Sequence, residues 1–257
     1  MEFGLNMYSI RHRMKTEGDF LAACHELREM GYSYIQFSGA PFDAPMIQRV
    51  SEASRLPVPL THVPLTRILQ DTDRLFEEHL MFGCKYIGLG AMTPLSLFFD
   101  LPKCHEAIDA LETAAARLAQ KGGKLFYHNH ALEFIKHGNT TVLDYLIEKA
   151  PHVHFTLDVY WAQVGGADVC SLIDRLAGRV ECIHLKDYQI TVPDPENIRY
   201  EPVFAPVGDG NMDFPKLIKH ARAAGTEYFF VEQDNASLLP DSMEQVAKSA
   251  RYLREIE

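Results

Sequence analysis

Four apolar segments of this 257-residue chain run directly into residues that can hold a cation or move a proton. Leu125-Phe-Tyr127 leads into His128, Asn129 and His130, with Glu133 on the following turn. Thr156-Leu157 ends in Asp158, Cys182-Ile183 in His184, and Phe229-Phe-Val231 in Glu232. Glu133, Asp158, His184 and Glu232 make three carboxylates and one imidazole, a hard donor set that suits Mn²⁺, Mg²⁺ or Co²⁺ better than a structural zinc, whose usual ligands include thiolates. Each residue alone has an ordinary reading. Glu133 can be a solvated turn residue, Asp158 a cap, His184 a hydrogen-bonded core histidine and Glu232 half of a buried ion pair. What argues for chemistry is that four consecutive strands end the same way.

Such residues meet only if their strands end side by side. Apolar strand patterns recur at 3–10, 32–37, 59–64, 85–89, 125–127, 153–159, 180–185 and 227–231, alternating with helical spacing at 20–30, 44–55, 68–82, 105–120, 141–149, 168–176, 213–224 and 241–256. Alternation of this kind implies parallel strands with helical crossovers, and eight units suit closure into a single (β/α)8 barrel spanning 1–257 as one domain. No Gly-x-Gly-x-x-Gly follows the first strand, which argues against a doubly wound sheet. Two segments fall outside the alternation. The apolar loop from Ala91 to Pro102 is expected to cover a site or a homodimer interface, its Leu95 to Leu101 part pointing to the dimer, and the Pro-rich stretch from Gln189 to Gly210 to be a functional loop.

Composition narrows the function. A formal net charge of -10 and the lack of any Lys/Arg run exclude a general phosphate-backbone binder, so no nucleic-acid partner is expected. Five scattered cysteines without a Cys-x-x-Cys point to reduced thiols and a cytoplasmic protein. No apolar run approaches the roughly 20 residues that span a bilayer, so no membrane partner is expected either.

Several segments together resemble the xylose-isomerase-like TIM-barrel superfamily of sugar phosphate isomerases and epimerases. They are Tyr127-His-Asn-His-Ala-Leu-Glu-Phe134, Leu157-Asp-Val-Tyr-Trp161, His184-Leu-Lys-Asp187, Val207-Gly-Asp-Gly-Asn-Met-Asp-Phe214 and Val231-Glu-Gln-Asp234, with Leu5-Asn-Met-Tyr-Ser-Ile-Arg11 at the start. The resemblance implies one divalent ion held by Glu133, Asp158, His184 and Glu232, with Mn²⁺ expected and Mg²⁺, Co²⁺ or Zn²⁺ as alternatives. In the epimerase branch the first ligand is a glutamate at the very end of strand five. Here His128 or Asn129 stands at that place, so the expected ligand is Glu133 from the next turn, with a strand-five histidine as the alternative.

The chemistry expected is proton transfer next to a carbonyl, through an enediolate, on a ketose or keto-sugar. Glu133 and Glu232 would be the acid/base pair, His128 or His130 would move protons between oxygens, and Lys186 would hold a substrate oxygen. His62, Trp161, Tyr8 and Arg11 are candidate substrate contacts. The leading expectation is an isomerase or epimerase. A lyase acting on an inosose, a dehydroshikimate or a 3-keto-glycoside uses the same first step, and a non-catalytic sugar-binding protein is the alternative of another class.

Overall fold

The computed structural model describes residues 1–194, 196 and 199–256; Pro195, Asn197 and Ile198 of the expected Gln189–Gly210 loop, and Glu257, lie outside the described residues. Eight parallel strands close into a barrel: β1 Gly4–Asn6, β2 Tyr34–Phe37, β3 Leu60–Val63, β4 Tyr86–Leu89, β5 Lys124–His128, β6 Val153–Asp158, β7 Cys182–Leu185 and β8 Tyr228–Val231. Neighbours in sequence pair around the ring, and β8 closes it on β1 through Gly4↔Phe230 and Leu5↔Val231. The expected (β/α)8 barrel is therefore the observed one. Among the described residues no helix is long and apolar enough to cross a membrane.

Strand side chains alternate between two faces, so one set fills the barrel and the other packs beneath the helices. Tyr34, Leu60, Phe126, Cys182 and Phe230 form the interior cluster. Ile35, Tyr127, Phe155, Leu157, Ile183 and Val231 belong to the larger core outside it. Two residues beyond each interior apolar residue, on the same face, the chain carries Gln36, His62, His128, His184 and Glu232. Asn6 and Asp158 follow Gly4 and Thr156 by the same step. An apolar plug thus closes the lower barrel, and polar groups are gathered at the carboxyl ends of the strands, where barrels of this class place their sites. On β4 that step falls on Gly88, where a Cβ would sit 2.3 Å from the Thr61 carbonyl oxygen and 2.9 Å from the His62 ring. The missing side chain makes room for the imidazole.

Local differences from the sequence expectations have local causes. The first strand stops at Asn6, whose side chain accepts a hydrogen bond from the Tyr8 N–H at 3.1 Å and turns the chain into a 3₁₀ segment, Met7–Arg13. The expected 68–82 helix is two helices, Leu65–Gln70 and Thr72–Leu80, broken at Asp71. Within the apolar Leu95–Leu101 stretch, Leu95–Phe99 is a 3₁₀ turn that buries Phe98, and the following helix already begins at Leu101. The segment read as an aperiodic loop is in large part an antiparallel hairpin, Asp187–Asp194 against Arg199–Ala205.

The base of that hairpin is pinned by one carboxylate. Buried Asp187 accepts backbone N–H bonds from Tyr188, Gly208, Gly210 and Met212 at 2.8–3.1 Å. A Cβ on Gly210 would lie 2.3 Å from Asp187 Oδ1, so the chain can wrap the carboxylate this closely only with glycine there. Asp187→Ala is expected to destabilise the protein by about 2–3 kcal/mol in urea unfolding, because buried donors lose their acceptor. A loss within experimental error would show that water replaces the carboxylate at no cost.

Candidate active site

His128, Asp158, His184 and Glu232 meet at the top of the barrel, each buried, with one potential ligand atom apiece and all four atoms within 4.8 Å of one another. Register brings them there: Asp158 pairs with His184 across β6 and β7, and Glu232 directly follows Val231, which pairs with Leu185. Three of the four expected ligands are therefore assembled, and the fourth place is taken by a strand-five histidine.

Glu133 is not brought to them. Its Oε1 accepts from the Tyr127 hydroxyl and its Oε2 from the His130 backbone N–H, both at 2.7 Å. Tyr127 faces the outer core, one residue out of phase with Phe126 and His128, so Glu133 sits with it behind the barrel wall. Burial pushes the Glu133 carboxyl up to about 7, against the hydrogen bonds from Tyr127 and His130.

The two histidines present bare lone pairs to the cluster. His128 Nδ1 lies 2.9 Å from the Gly90 carbonyl oxygen and His184 Nε2 lies 2.7 Å from Gln36 Oε1. Each oxygen can only accept, so each of these ring nitrogens carries the hydrogen and the opposite nitrogen is left free. The free nitrogens are His128 Nε2, 3.4 Å from Asp158 Oδ2, and His184 Nδ1, 2.8 Å from Glu232 Oε2. Apart from each other, His184 Nδ1 has no hydrogen-bond partner and Glu232 Oε2 has the Lys186 ammonium at 3.2 Å. Lone pair against lone pair at this distance is repulsive unless a cation lies between them. The residues therefore fit a divalent ion. Burial disfavours the His184 imidazolium, yet Glu232 and Asp158 outweigh it and raise the histidine above its usual range. A proton and a metal ion thus compete for the same nitrogen.

The carboxylates are positioned from several elements. Asp158 Oδ1 accepts the Trp161 N–H at 2.9 Å and caps the helix Val159–Val164, leaving Oδ2 to the cluster. Asn129 braces the Asp158 backbone, accepting its N–H at 2.9 Å and donating to its carbonyl at 3.3 Å. Asn6 donates to Glu232 Oε1 at 2.9 Å. Lys186, also buried, places its ammonium 2.9 Å from Asp158 Oδ2, 3.2 Å from Glu232 Oε2 and 3.0 Å from Asp234 Oδ1. Burial pulls the ammonium down, but the three carboxylates prevail and hold its pKa above the usual lysine value. Burial likewise works against ionised Asp158 and Glu232, whose pKa values nevertheless stay well below the usual carboxylate range, chiefly through Lys186.

A cavity of about 570 Å³ opens above this floor, large enough for a small ligand. His62, His128, His130, Lys186, Glu232 and Tyr8 line it, as the sequence suggested for site residues, together with Asp234. Burial, then the neighbouring His128, pushes His62 well below the usual histidine range and His130 down to about 3. His62 Nε2 is buried without a partner, and its Nδ1 lies 3.3 Å from Ser38 Oγ. Two expected substrate contacts are placed otherwise. Trp161 stands behind the floor, its ring 5.4 Å from Lys186 Nζ and 5.7 Å from the His130 ring. Arg11 stacks on the Tyr8 ring and donates to the Tyr8 and Asp234 carbonyls. Neither lines the cavity.

The sequence profile of the xylose isomerase-like TIM barrel family matches residues 24–256. The chain belongs to this family. Among relatives of this xylose isomerase-like barrel, an inosose dehydratase of Geobacillus kaustophilus is 32% identical over 264 residues, 87% of this chain and 83% of that protein. An inosose dehydratase of Geobacillus thermodenitrificans is 29% identical over 161 residues, and that match spans only 53% of the relative. The crystal structure of a sugar phosphate isomerase/epimerase from Parabacteroides distasonis superposes with a TM-score of 0.79 at 19% identity, covering 98% of this chain and 93% of that one, a likeness of fold alone.

Asn6, Gln36 and Asp234 were not singled out from the sequence, although Asn6 and Gln36 share the interior phase of the ligands and Asp234 continues that of Glu232. If Gln36 fixes the His184 tautomer, Gln36→Leu should weaken Mn²⁺ binding by about 10–100-fold, read by calorimetry against His184→Ala as the loss of a ligand. Unchanged affinity would refute the role. Glu133 makes a separate pH prediction. The folded carboxyl ionises near 7 and the unfolded one near 4.5, so the unfolded chain releases its proton first. Glu133's contribution to stability is complete below pH 4.5 and is lost as pH rises to about 7. Glu133→Gln, which mimics the protonated acid, should flatten that decline by on the order of 3 kcal/mol in unfolding measured from pH 4 to 8; an unaltered slope would place the proton elsewhere.

Proposed function

We propose that this chain is a divalent-metal-dependent lyase that removes a proton next to the carbonyl of a keto-sugar or inosose-like ring and expels the β-oxygen as water or an alcohol. The observation that carries the reading is that Glu133 is turned away behind the barrel wall. Epimerisation through a pair of carboxylates, one on each side of the sugar, needs the role that Glu133 was expected to fill. Elimination needs one proton carrier that serves in turn as base and acid. The inosose dehydratases among the relatives agree with this choice.

His128, Asp158, His184 and Glu232 would hold the ion, with Mn²⁺ suited to their mixed nitrogen and oxygen set. The ion would supply Lewis acidity at the substrate carbonyl. His130 is the proton carrier. Its imidazole lines the cavity and is neutral at physiological pH, so it can accept the carbon-bound proton. The C–H electron pair becomes the new double bond, the β C–O bond breaks, and the departing oxygen takes the proton from His130. Lys186 steadies negative charge developing on oxygen, and Glu133 holds the turn beneath His130 through its backbone N–H.

Inososes, ketoses and 3-keto-glycosides incubated with the protein and Mn²⁺ in D₂O, and followed by NMR and mass spectrometry, decide the reaction type. A product lighter by water or by an alcohol is expected. Deuterium incorporation without any loss would establish an isomerase or epimerase instead. His130→Gln should lower kcat by about 10²–10⁴-fold at unchanged metal content, and a wild-type rate would remove His130 from the mechanism.

A further inference from the structure

Three imidazoles stand together at the floor of the cavity, and they are held in two different ways. The His62 ring centroid lies 5.2 Å from that of His128 and 5.6 Å from that of His184. His128 and His184 each turn one nitrogen to an oxygen that can only accept, the Gly90 carbonyl and the Gln36 amide oxygen, which leaves the other nitrogen bare for a cation. His62 is outside the cluster of four residues whose ligand atoms converge, and no such oxygen fixes its tautomer. Its Nδ1 lies 3.3 Å from the Ser38 hydroxyl, which can give a hydrogen or take one. Its Nε2 is buried without a partner, in a residue that lines the cavity.

Backbone without side chains gives the ring its place. A Cβ on Gly88 would stand 2.9 Å from His62 Cδ2, and one on Gly90 would stand 3.1 Å from His62 Cβ, Cγ and Nδ1. A side chain at Gly88 would displace the imidazole, and one at Gly90 would crowd it. In the closed order of strands β3 lies opposite β7, so His62 meets the cavity from the side across from Lys186, which directly follows β7. A buried nitrogen without a partner costs the free protein stability, and a ligand that bonds it removes that cost. A carboxylate or phosphate oxygen would suit only the tautomer with hydrogen on Nε2. A hydroxyl group suits both, because it gives or takes a hydrogen as the Ser38 hydroxyl does at Nδ1.

We propose that His62 is a specificity-determining residue of this site, its Nε2 bonding one ring hydroxyl of the ligand on the side remote from the oxygen that Lys186 steadies. This rests on reading the cavity as the site of a hydroxylated keto ring, but not on the outcome of the reaction there. No bond to carbon is made or broken at His62, and the proton carrier remains His130. His62 sorts ring isomers instead. A hydroxyl that is missing, or turned to the other face of the ring, leaves Nε2 buried and unpaired, and the whole difference falls on binding.

Isothermal titration of the full chain loaded with Mn²⁺ would compare myo-inositol with the monodeoxy-inositols, each of which lacks one hydroxyl and none of which has a carbonyl to react. One deoxy isomer is expected to bind at least about tenfold more weakly than myo-inositol, through loss of the bond to Nε2. In His62→Phe, which keeps a ring between the glycines and has no nitrogen, that isomer and myo-inositol should bind within about twofold of each other. His62→Gln, whose amide can give or take a hydrogen, should keep a difference of at least about threefold, and it serves if the phenylalanine variant does not fold. Both variants should bind Mn²⁺ with the affinity and stoichiometry of the wild type. A deoxy penalty that survives whole in His62→Phe, a penalty no larger in His62→Gln than in His62→Phe, or loss of Mn²⁺ from either variant, which would make His62 a metal ligand, overturns the proposal. A wild type that binds myo-inositol without any penalty as large as about tenfold overturns it too and leaves the keto-ring reading in place. If the wild type binds no inositol, both readings fall together. A His62-dependent penalty in a protein that catalyses exchange and no elimination would leave this proposal standing and remove the lyase.

Discussion

Like charge held away from water is the constraint around which the barrel top is built. Asp158, Glu232 and Asp234 converge on Lys186, with Asp158 fully buried and Glu232 nearly so. One ammonium cannot balance three carboxylates, and removing a partner from a buried pair costs about 3–5 kcal/mol. Neutral donors take up part of the imbalance: the Trp161 N–H on Asp158 and the Asn6 amide on Glu232. His184 Nδ1 facing Glu232 Oε2 at 2.8 Å, with Lys186 3.2 Å away from the same oxygen, shows where it is left over. A centre of this kind is stable when it holds more positive charge than the chain itself supplies, which is why the same groups that strain the fold suit a divalent ion.

Much of this was legible from alternation. Apolar runs separated by helical spacing predict eight parallel units, and strands that end in His or acidic residues predict where those residues gather. Phase along the strand would have carried the reading further. Phe126 and His128 lie on one face, as do Cys182 and His184, and Phe230 and Glu232. A residue on the turn, like Glu133, has no phase to inherit from the strand. Its placement followed instead from the superfamily's glutamate at this strand end, and it went astray because the carboxyl found a nearer partner in Tyr127, whose side chain points out of the barrel. The histidine at the strand end, in phase with the plug, takes its place.

Other features were invisible for a different reason. Gln36 and His184 are 148 residues apart, and Asn6 and Glu232 are 226 apart. No local pattern relates them, because barrel closure alone makes β1 and β2 neighbours of the groups on β7 and β8. Trp161 and Arg11 illustrate the converse. Both have residue types that suit sugar or phosphate recognition, yet each is occupied close to its own place in the chain, Trp161 in the capped turn after Asp158 and Arg11 across Tyr8. Residue type names what a side chain can do, and its nearest partners decide whether it is free to do it.

The two halves of the ring also divide the work between charge and fit. β1 to β3 direct Asn6, Gln36 and His62 inward, an amide pair and an imidazole kept uncharged, and β4 contributes a glycine; the ionised groups stand on β6 to β8 and just beyond. A ligand in the cavity therefore lies across a gradient, with charged groups on one side and hydrogen-bonding or apolar surface on the other. Such a gradient orients a carbonyl without gripping the rest of the molecule, since the oxygen that gains negative charge has one stabilised direction in which to point. In the proposed reaction the polarity would be set by the order of strands around the ring, while the turns above β1 to β4 could vary the molecule accepted and leave the charged centre undisturbed.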